Sequence, residues 1–229
     1  VKDADIVIFA GGISPQLEGE EMGVDLPGFK RGDRTDIELP AVQREMIKAL
    51  HDAGKKVIFV NCSGSPIAMK AETEHCQAIL QAWYPGQSGG KAVAEVLFGD
   101  YNPAGRLPVT FYRSLSQLPD FEDYNMAGHT YRFFKGEPLF PFGYGLSYTT
   151  FKYGKMKLDS SVKVGETAKI TVPVTNTGSR DGEEVVQVYL KKNGETDGPI
   201  KTLRAFKRVR IPAGKTVKVE LELTPKQLE

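Results

Sequence analysis

The stretch Asp5-Ile6-Val7-Ile8-Phe9-Ala10 decides the fold of the first half of the chain, because it is a short apolar run that ends at Gly11-Gly12. An apolar run bounded by turn residues is typical of a strand buried in a parallel sheet. Residues 11–39 then form a long loop rich in glycine, proline and charge. Loops this long without secondary structure are uncommon and are often functional, so this loop is the first place to look for a site.

Helices and strands alternate beyond this loop. A helix is predicted after Pro40, because apolar residues recur at helical spacing and Gly54 stands where a C-terminal cap belongs. Its apolar residues are Val42, Met46, Ile47 and Leu50. Strands are predicted at 56–60 and 78–83, with a second helix at 90–98, and this order implies a parallel sheet covered by helices. Ligands bind beyond the carboxyl ends of such strands, so the loops after the three strands are where we expect a site.

The pattern changes near residue 150, beyond which it predicts only strands. Apolar and polar residues alternate with period two in 168–174, 185–190 and 216–223. Turn signals separate these runs: Asn176-Thr177-Gly178, Asn193-Gly194 and Pro212-Ala213-Gly214. This is the pattern of a β-sandwich. Residues 151–229 are fewer than the about 100 of a full sandwich, so we expect one or more closing strands to be missing.

Composition and charge exclude several classes of partner. The chain has 30 basic and 29 acidic residues without a basic run, so we expect neither nucleic acid nor a membrane as a partner. The N-terminal segment lacks the features of a signal peptide and is typical of the middle of a domain. Cys62 and Cys76 are too few for a disulfide framework and are expected to be buried thiols. His51, His75 and His129 lack ligand spacing, so neither a metal nor a cofactor is predicted.

The loop after the first strand contains the candidate catalytic carboxylates Glu18, Glu20 and Glu21. Like charges this close disfavour joint ionisation, so one pKa is expected to rise. A carboxyl held protonated near neutral pH can act as a general acid, although a solvated acidic loop is the alternative. Asp33 and Arg34 follow in the same loop. They form either a surface ion pair or a site in which Arg34 orients the loop or contacts a hydroxylated ligand.

The loops after the second and third strands do not match common catalytic motifs. Ser63-Gly64-Ser65 resembles a nucleophile turn only superficially, because it is not Gly-x-Ser-x-Gly. The glycines of residues 83–90 permit a tight turn, but their spacing is that of neither phosphate-binding loop. Trp83, the one tryptophan, is interpreted as a core or interface residue rather than a platform for sugar stacking.

Four segments carry a resemblance to a known family. They are PGQSGG (85–90), VLFGDYNPAGRLPVTF (96–111), FPFGYGLSYTTF (140–151) and NTGSRDGEEVVQVY (176–189). The first two resemble the C-terminal α/β domain of glycoside hydrolase family 3, the third resembles the segment that follows it, and the fourth resembles the family's fibronectin type III-like domain. The segments stand in family order and span nearly the whole chain.

The resemblance implies an α/β fold: a parallel-sheet α/β sandwich domain at residues 1–150, lacking its N-terminal part, followed by an all-β fibronectin type III-like sandwich at 151–229. In this family an N-terminal (β/α)8 barrel, absent here, carries the aspartate nucleophile. The α/β domain supplies the acid/base glutamate. The implied reaction is retaining, exo-acting hydrolysis of a β-linked oligosaccharide, a β-xyloside or β-glucoside, and this chain alone is expected to be nearly inactive.

The resemblance also ranks the candidate site residues. The family places the acid/base glutamate in Glu-Gly-x-Asp-Arg or Glu-x-Glu-Gly-x-Asp-Arg, and here extra residues separate the glutamates from Asp33-Arg34. Counting from the second pattern, Glu20 is the first choice for the acid/base, Glu18 the second and Glu21 the third. Asp33 and Arg34 are the expected substrate contacts, and a periplasmic or secreted location is implied. A non-catalytic sugar-binding or scaffold fragment is the alternative.

Overall fold

The computed structural model describes residues 1–19, 21–159, 161–194 and 196–228. The chain divides into two compact units. Unit 1 comprises Val1–Leu97, Val109–Asn125 and Gly136–Pro141, and unit 2 comprises Phe98–Pro108, Met126–Lys135 and the chain from Phe142 onward. The polypeptide therefore passes between the units several times, and a single domain boundary near residue 150 stays a prediction.

Unit 1 contains the parallel sheet. Its elements in chain order are β1 (Ile6–Gly12), β2 (Asp25–Leu26), β3 (Phe29–Lys30), β4 (Asp33–Arg34), α1 (Ala41–Asp52), β5 (Lys56–Cys62), α2 (Lys70–His75), β6 (Ala78–Gln81) and α3 (Gly89–Leu97). Strands β1, β5 and β6 pair in parallel in the order β1-β5-β6. The predicted α/β architecture is confirmed. The sequence pattern does not predict α2, which is too short to show a helical period.

Burial in the sheet differs between the central strand and its neighbour. On β5, Val57, Phe59 and Val60 are buried. On β1, Ile6 and Ile8 are exposed, so the expectation of a fully buried strand is wrong for one face of β1. In the part of the chain that the structure describes, β1 pairs along one edge and lies at the border of the sheet.

Helix α1 begins after Pro40, as predicted, but its apolar residues divide into two groups. Ile47 and Leu50 are buried, whereas Val42 is 69% and Met46 51% exposed. The helical period therefore predicts the helix correctly, but only two of the four apolar positions face the core of unit 1.

The C-terminus of α1 shows why Gly54 marks the end of the helix. Gly54 has a φ of +73°, in the left-handed region that glycine adopts without steric cost. Its N–H donates to the carbonyl of His51 at 2.8 Å, and the N–H of Lys55 donates to that of Leu50 at 3.0 Å. These two bonds form a Schellman motif, which satisfies carbonyls that the helix leaves unpaired.

Unit 2 is mostly antiparallel β-structure. Its elements are α4 (Thr130–Phe133), β7 (Phe151–Tyr153), β8 (Lys157–Leu158), β9 (Ala168–Asn176), β10 (Gly182–Leu190), β11 (Thr202–Ile211), β12 (Thr216–Leu223) and α5 (Pro225–Leu228). One sheet has the order β12-β9-β7, with β8 also paired to β9, and the other contains β10 and β11. The apolar core consists of Val172, Val174, Val186, Ile211, Val219 and Leu221. The predicted all-β second part is confirmed, although the pattern does not predict β11.

A charged pair is buried within unit 2. Arg106 Nη2 donates to Glu184 Oε2 at 2.8 Å, and their side chains are only 10% and 11% exposed. Glu184 also hydrogen-bonds the hydroxyl of Tyr153, and burial, followed by the charge of Glu184, raises the pKa of that phenol well above its usual range. Breaking a buried pair leaves an uncompensated charge, so this contact is more costly to disrupt than a surface ion pair.

Candidate active site

The loops after β1, β5 and β6 meet at the carboxyl edge of the parallel sheet. The N–H of Ile13 donates to the carbonyl of Cys62 at 2.9 Å, and the N–H of Ala82 donates to that of Asn61 at 2.8 Å, so the starts of the loops after β1 and β6 are both bonded to the end of β5. The hydroxyl of Tyr84, from the third loop, lies 2.9 Å from the carbonyl oxygen of Ile13. Residues that are far apart in sequence thus come together where α/β proteins commonly bind ligands.

Glu18 lies at the centre of this junction. Its Oε2 accepts hydrogen bonds from the Tyr84 hydroxyl at 2.6 Å and from the Gly64 N–H at 3.2 Å. Its Oε1 accepts a hydrogen bond from the Ser65 hydroxyl and lies 3.9 Å from Arg34 Nη1. The Glu18 side chain is only 13% exposed, so this carboxylate is held among donors rather than solvated.

Arg34 uses most of its donors on neighbouring backbone and side-chain oxygens. Nε donates to Asp36 O at 3.0 Å and Nη2 to Glu38 O at 3.2 Å. Nη1 donates to Ser65 Oγ at 2.9 Å and to Pro66 O at 3.1 Å. Burial lowers the pKa of the guanidinium, whereas nearby carboxylates raise it. The arrangement ties the segment around β4 to the loop after β5.

The other predicted site residues lie apart from this cluster or outside the described residues. Glu20, the first choice for the acid/base, lies outside the described residues. Glu21 is exposed and has a φ of +50°. Asp33 is exposed on β4, where it pairs in register with Lys30, while Arg34 faces Glu18. Of the five candidates, the structure therefore brings Glu18 and Arg34 together.

A buried polar network lies beneath Ser65. The Ser63 hydroxyl donates to the carbonyl of Ser65 at 2.9 Å and accepts from Asn61 Nδ2 at 3.2 Å and from Gln81 Nε2 at 3.3 Å. Asn61 Nδ2 also donates to Gln81 Oε1 at 2.6 Å. Ser63 and Asn61 are fully buried. Hydrogen bonds from the carboxyl ends of β5 and β6 thus hold the loop after β5 in its conformation.

Tyr84 reaches Glu18 from a constrained backbone. Trp83, just before it, has a φ of +57°, which is uncommon for a residue with a side chain. The Trp83 ring packs edge-on against Phe111, with 6.0 Å between ring centroids. Partial burial, with the Glu18 hydrogen bond and charge, raises the pKa of Tyr84 to about 12. Its hydroxyl therefore stays protonated and remains a donor across the neutral range.

Two glycines permit the close approach of these loops. A Cβ at Gly64 would lie 2.5 Å from Tyr84 Cε2 and 3.1 Å from Glu18 Oε2. A Cβ at Gly32 would overlap the carbonyl oxygen of Gly19. The loop that follows β1 is therefore packed on itself and against the loop after β5. In the sequence, Gly64 stands out only as the middle residue of Ser63-Gly64-Ser65, which resembles a nucleophile turn. The sequence does not predict its contact with Tyr84 and Glu18.

The histidines and cysteines do not extend the site. His51 and His75 are far apart in the sequence, but their ring centroids lie 5.0 Å apart in the structure. Within residues 1–19, 21–159, 161–194 and 196–228, no group of three or more His, Cys, Asp or Glu residues is placed to hold a metal. Cys62 and Cys76 are free and half-buried. No helix in the described part of the chain is long and apolar enough to cross a bilayer.

Comparisons with known proteins match both ends of the chain to known domain families. Residues 1–148 match the glycosyl hydrolase family 3 C-terminal domain, and residues 184–229 match the fibronectin type III-like domain. A xylan 1,4-β-xylosidase of Xylanibacter ruminicola is 59% identical over 229 residues, which is all of this chain and 26% of the relative. A periplasmic β-glucosidase of Salmonella typhimurium is 38% identical, covering 97% of this chain and 30% of the relative.

Solved structures agree with these sequence matches. The β-glucosidase EmGH1 from Erythrobacter marinus is 37% identical and superposes with a TM-score of 0.85 over 99% of this chain and 30% of its own. β-Glucosidase 3B from Thermotoga neapolitana, solved with glucose, is 32% identical with a TM-score of 0.81. The chain spans about a quarter to a third of the length of such relatives. It belongs to glycosyl hydrolase family 3, of which it carries the C-terminal α/β domain and a fibronectin type III-like domain.

Proposed function

We propose that this chain is the C-terminal part of a retaining, exo-acting β-glycosidase and that the loop after β1 supplies its general acid/base. The observation that carries the proposal is the packing of this loop, through Glu18, onto the carboxyl edge of the parallel sheet. The edge is the usual ligand side of such a sheet. The relatives named β-xylosidase and β-glucosidase support a reaction at a glycosidic bond.

The proposed mechanism uses two carboxyl groups on opposite sides of the scissile bond. A nucleophilic aspartate, outside these 229 residues, attacks the anomeric carbon and forms a covalent glycosyl-enzyme. Glu20 protonates the leaving oxygen and then, as a carboxylate, deprotonates the water that hydrolyses the intermediate. Retention requires the two carboxyl groups to lie about 5–5.5 Å apart, so turnover depends on the part of the enzyme that carries the nucleophile.

The remaining site residues have proposed supporting roles. Arg34 orients the loop, because four of its N–H groups already donate within unit 1. Asp33 is the proposed contact to a sugar hydroxyl, since its carboxylate is exposed on the same loop. Glu18 is the first alternative to Glu20 for proton transfer, and Glu21, which is exposed, is the second.

The proposed substrate is a β-xyloside, with a β-glucoside second. The 59% identity to a xylan 1,4-β-xylosidase favours xylose over glucose. The similarity to a periplasmic β-glucosidase supports a periplasmic or secreted location. A non-catalytic sugar-binding or scaffold fragment is the rival proposal, and it predicts sugar binding without turnover.

The test compares the full-length polypeptide that carries this chain with its Glu20→Gln variant. We expect hydrolysis of xylobiose to fall by about 10²–10⁴-fold, the usual effect of losing a general acid. Hydrolysis of 2,4-dinitrophenyl β-xyloside, whose leaving group needs no proton, should release its phenol in a burst and then stall. Azide should restore turnover and yield a β-xylosyl azide, because it attacks the glycosyl-enzyme without a general base.

Glu21→Gln is the matched control, because it removes a neighbouring carboxylate from the same loop. It should keep activity within a few-fold of the wild type. Loss of activity and azide rescue in Glu21→Gln instead of Glu20→Gln would transfer the role to Glu21. A wild type that binds xylose but turns over no glycoside would establish the rival proposal.

A further inference from the structure

We propose that His51 and His75 together bind one divalent transition-metal ion, at the end of the parallel sheet opposite the candidate active site. His51 belongs to the last turn of α1 and His75 to the last turn of α2. Their ring centroids lie 5.0 Å apart. The proposal does not rest on the proposed function, because it concerns other residues at the other end of the sheet.

The topology of unit 1 explains why two histidines that are far apart in the sequence meet. Helix α1 leads into β5 and α2 leads into β6, and these strands are parallel neighbours. Both helices therefore end near the amino ends of the same two strands. Strand β5 has 7 residues, so about 20 Å of sheet separates this end from the carboxyl edge. The spacing that predicts no metal concerns residues close in sequence, whereas the fold brings these two together.

The distance between the two rings fits coordination of a shared ion. A zinc ion bonded to a ring nitrogen at about 2.0–2.1 Å lies roughly 3.2 Å from the centre of that ring. Two rings placed tetrahedrally around one ion then have their centres about 5 Å apart, which is the separation of the rings of His51 and His75. The angle of 46° between the ring planes also excludes a parallel stack.

Hydrogen bonds and burial hold the backbone on both sides of the histidine pair. The carbonyl of His51 accepts from the N–H of Gly54 at 2.8 Å, within the Schellman motif that ends α1. The N–H of Cys76 donates to the carbonyl of Glu72 at 2.9 Å, and the Glu72 side chain is fully buried in unit 1. Ligands that are held in place in advance lose less entropy when they bind, so two histidines suffice for a measurable affinity.

Charge and exposure at this end of unit 1 favour a cation. The C-terminus of a helix carries a partial negative charge, and His51 lies in the last turn of the 12-residue helix α1. A hydrogen bond from Lys48 lowers the pKa of Asp52, and the charges of both histidines contribute to the same shift. The Asp52 carboxylate is therefore within electrostatic reach of both rings. His51 is exposed and His75 half-buried, so an ion can reach the pair from solvent.

The donor set selects the class of ion. Imidazole nitrogens suit Zn²⁺, Ni²⁺ and Cu²⁺, whereas Mg²⁺ and Ca²⁺ take oxygen ligands. In the part of the chain that the structure describes, no group of three or more potential ligands is placed to hold a metal, so water molecules complete the coordination. Two ligands supply about half of the binding free energy of a four-ligand zinc site, which corresponds to a dissociation constant of roughly 1–200 µM.

Calorimetric titration with ZnCl₂ of the full-length polypeptide, first freed of metal with a chelator, tests the proposal. His51→Gln and His75→Gln should each weaken the same single site by at least about tenfold, and the double variant should lose no further site. His129→Gln, which changes a histidine of unit 2, is the matched control and should bind zinc as the wild type does. His51 is exposed, so His51→Gln should fold normally and gives a result even if His75→Gln does not fold. Equal zinc binding by the wild type and His51→Gln would overturn the proposal.

Competition and a cysteine variant separate a histidine site from other cation sites. Cu²⁺ should displace Zn²⁺, because it binds nitrogen ligands more tightly, whereas excess Mg²⁺ should leave zinc binding unchanged. Displacement by Mg²⁺ would indicate oxygen ligands such as Asp52 and would overturn the proposal. Cys76 follows His75 directly, so Cys76→Ser is tested as well and should keep the wild-type affinity. A tenfold or larger loss in Cys76→Ser, of the size expected for a lost ligand, would assign the site to a thiolate and refute a site of two imidazoles.

Discussion

The substitution Gly64→Ala should lower the activity of the enzyme much more than its stability. Carbon atoms in contact rest about 3.5–4.0 Å apart, and the new Cβ would lie 2.5 Å from Tyr84 Cε2. The tyrosine ring must therefore retreat by about 1 Å, a displacement that can cost about 10²-fold in rate when it reaches a catalytic group. We expect kcat/KM to fall by about 10- to 100-fold.

The loss of stability in Gly64→Ala should be small by comparison. Inserting a methyl group into a packed interior costs about 1–3 kcal/mol. Tyr84 is 43% exposed and its ring can move towards solvent, which places the cost at the lower end of that range. The decrease in Tm should then be a few degrees, which a thermal melt of the full-length polypeptide resolves.

Gly86→Ala is the matched control for this experiment. Gly86 lies two residues beyond Tyr84, and a Cβ there would meet nothing within 4 Å. The variant should keep both kcat/KM for 4-nitrophenyl β-xyloside and the Tm of the wild type. Activity of Gly64→Ala within twofold of the wild type, or an equal loss in both variants, would refute the reasoning.

Three further predictions concern the 229-residue chain. Ile47→Ala should lower the free energy of unfolding by about 2–5 kcal/mol in urea, because the side chain is fully buried, while exposed Met46→Ala should change it by less than about 0.5 kcal/mol. Glu184→Ala should cost about 3–5 kcal/mol, since it leaves a buried arginine unpaired, whereas Glu183→Ala, in a half-exposed ion pair, should cost at most about 1 kcal/mol in the same melts. Burial and a nearby carboxylate raise the pKa of the Cys76 thiol to about 11, so its alkylation by iodoacetamide should keep accelerating up to that pH, and a plateau near pH 9 would contradict this.

Local sequence signals predict those parts of the fold that depend on local interactions. The alternation of residues 216–223 gives the bounds of β12, because every second side chain enters the core between clear turns. Gly54 marks the end of α1 because a left-handed residue is needed there. Strand β11 escapes prediction because Arg204, Lys207 and Arg208 interrupt its apolar pattern.

Side-chain exposure and contacts between distant residues depend on the tertiary structure, and local sequence patterns do not predict them. Ile6 and Ile8 lie on the same face of β1 and are exposed because no part of the described chain covers that face, which the composition of the strand does not encode. The glutamate-rich loop is visible in the sequence, but its contacts are not: Glu18 and Tyr84 are 66 positions apart. Ligands bind beyond the carboxyl ends of parallel strands, and this rule predicts which loops lie near one another. The hydrogen bonds between residues of those loops are visible only in the folded structure.

The discontinuous make-up of unit 2 has a consequence for the order of events at the ribosome. Arg106 is synthesised 78 residues before Glu184. At about 5–20 residues per second, the arginine emerges roughly 4–16 s ahead of the carboxylate that it will meet. During that interval its charge stays hydrated, and the segment 98–108 has no finished β-sandwich to join. This ion pair therefore becomes buried late in biosynthesis. A truncated chain that ends before β10 lacks Glu184, so its Arg106 has no carboxylate of β10 with which to pair.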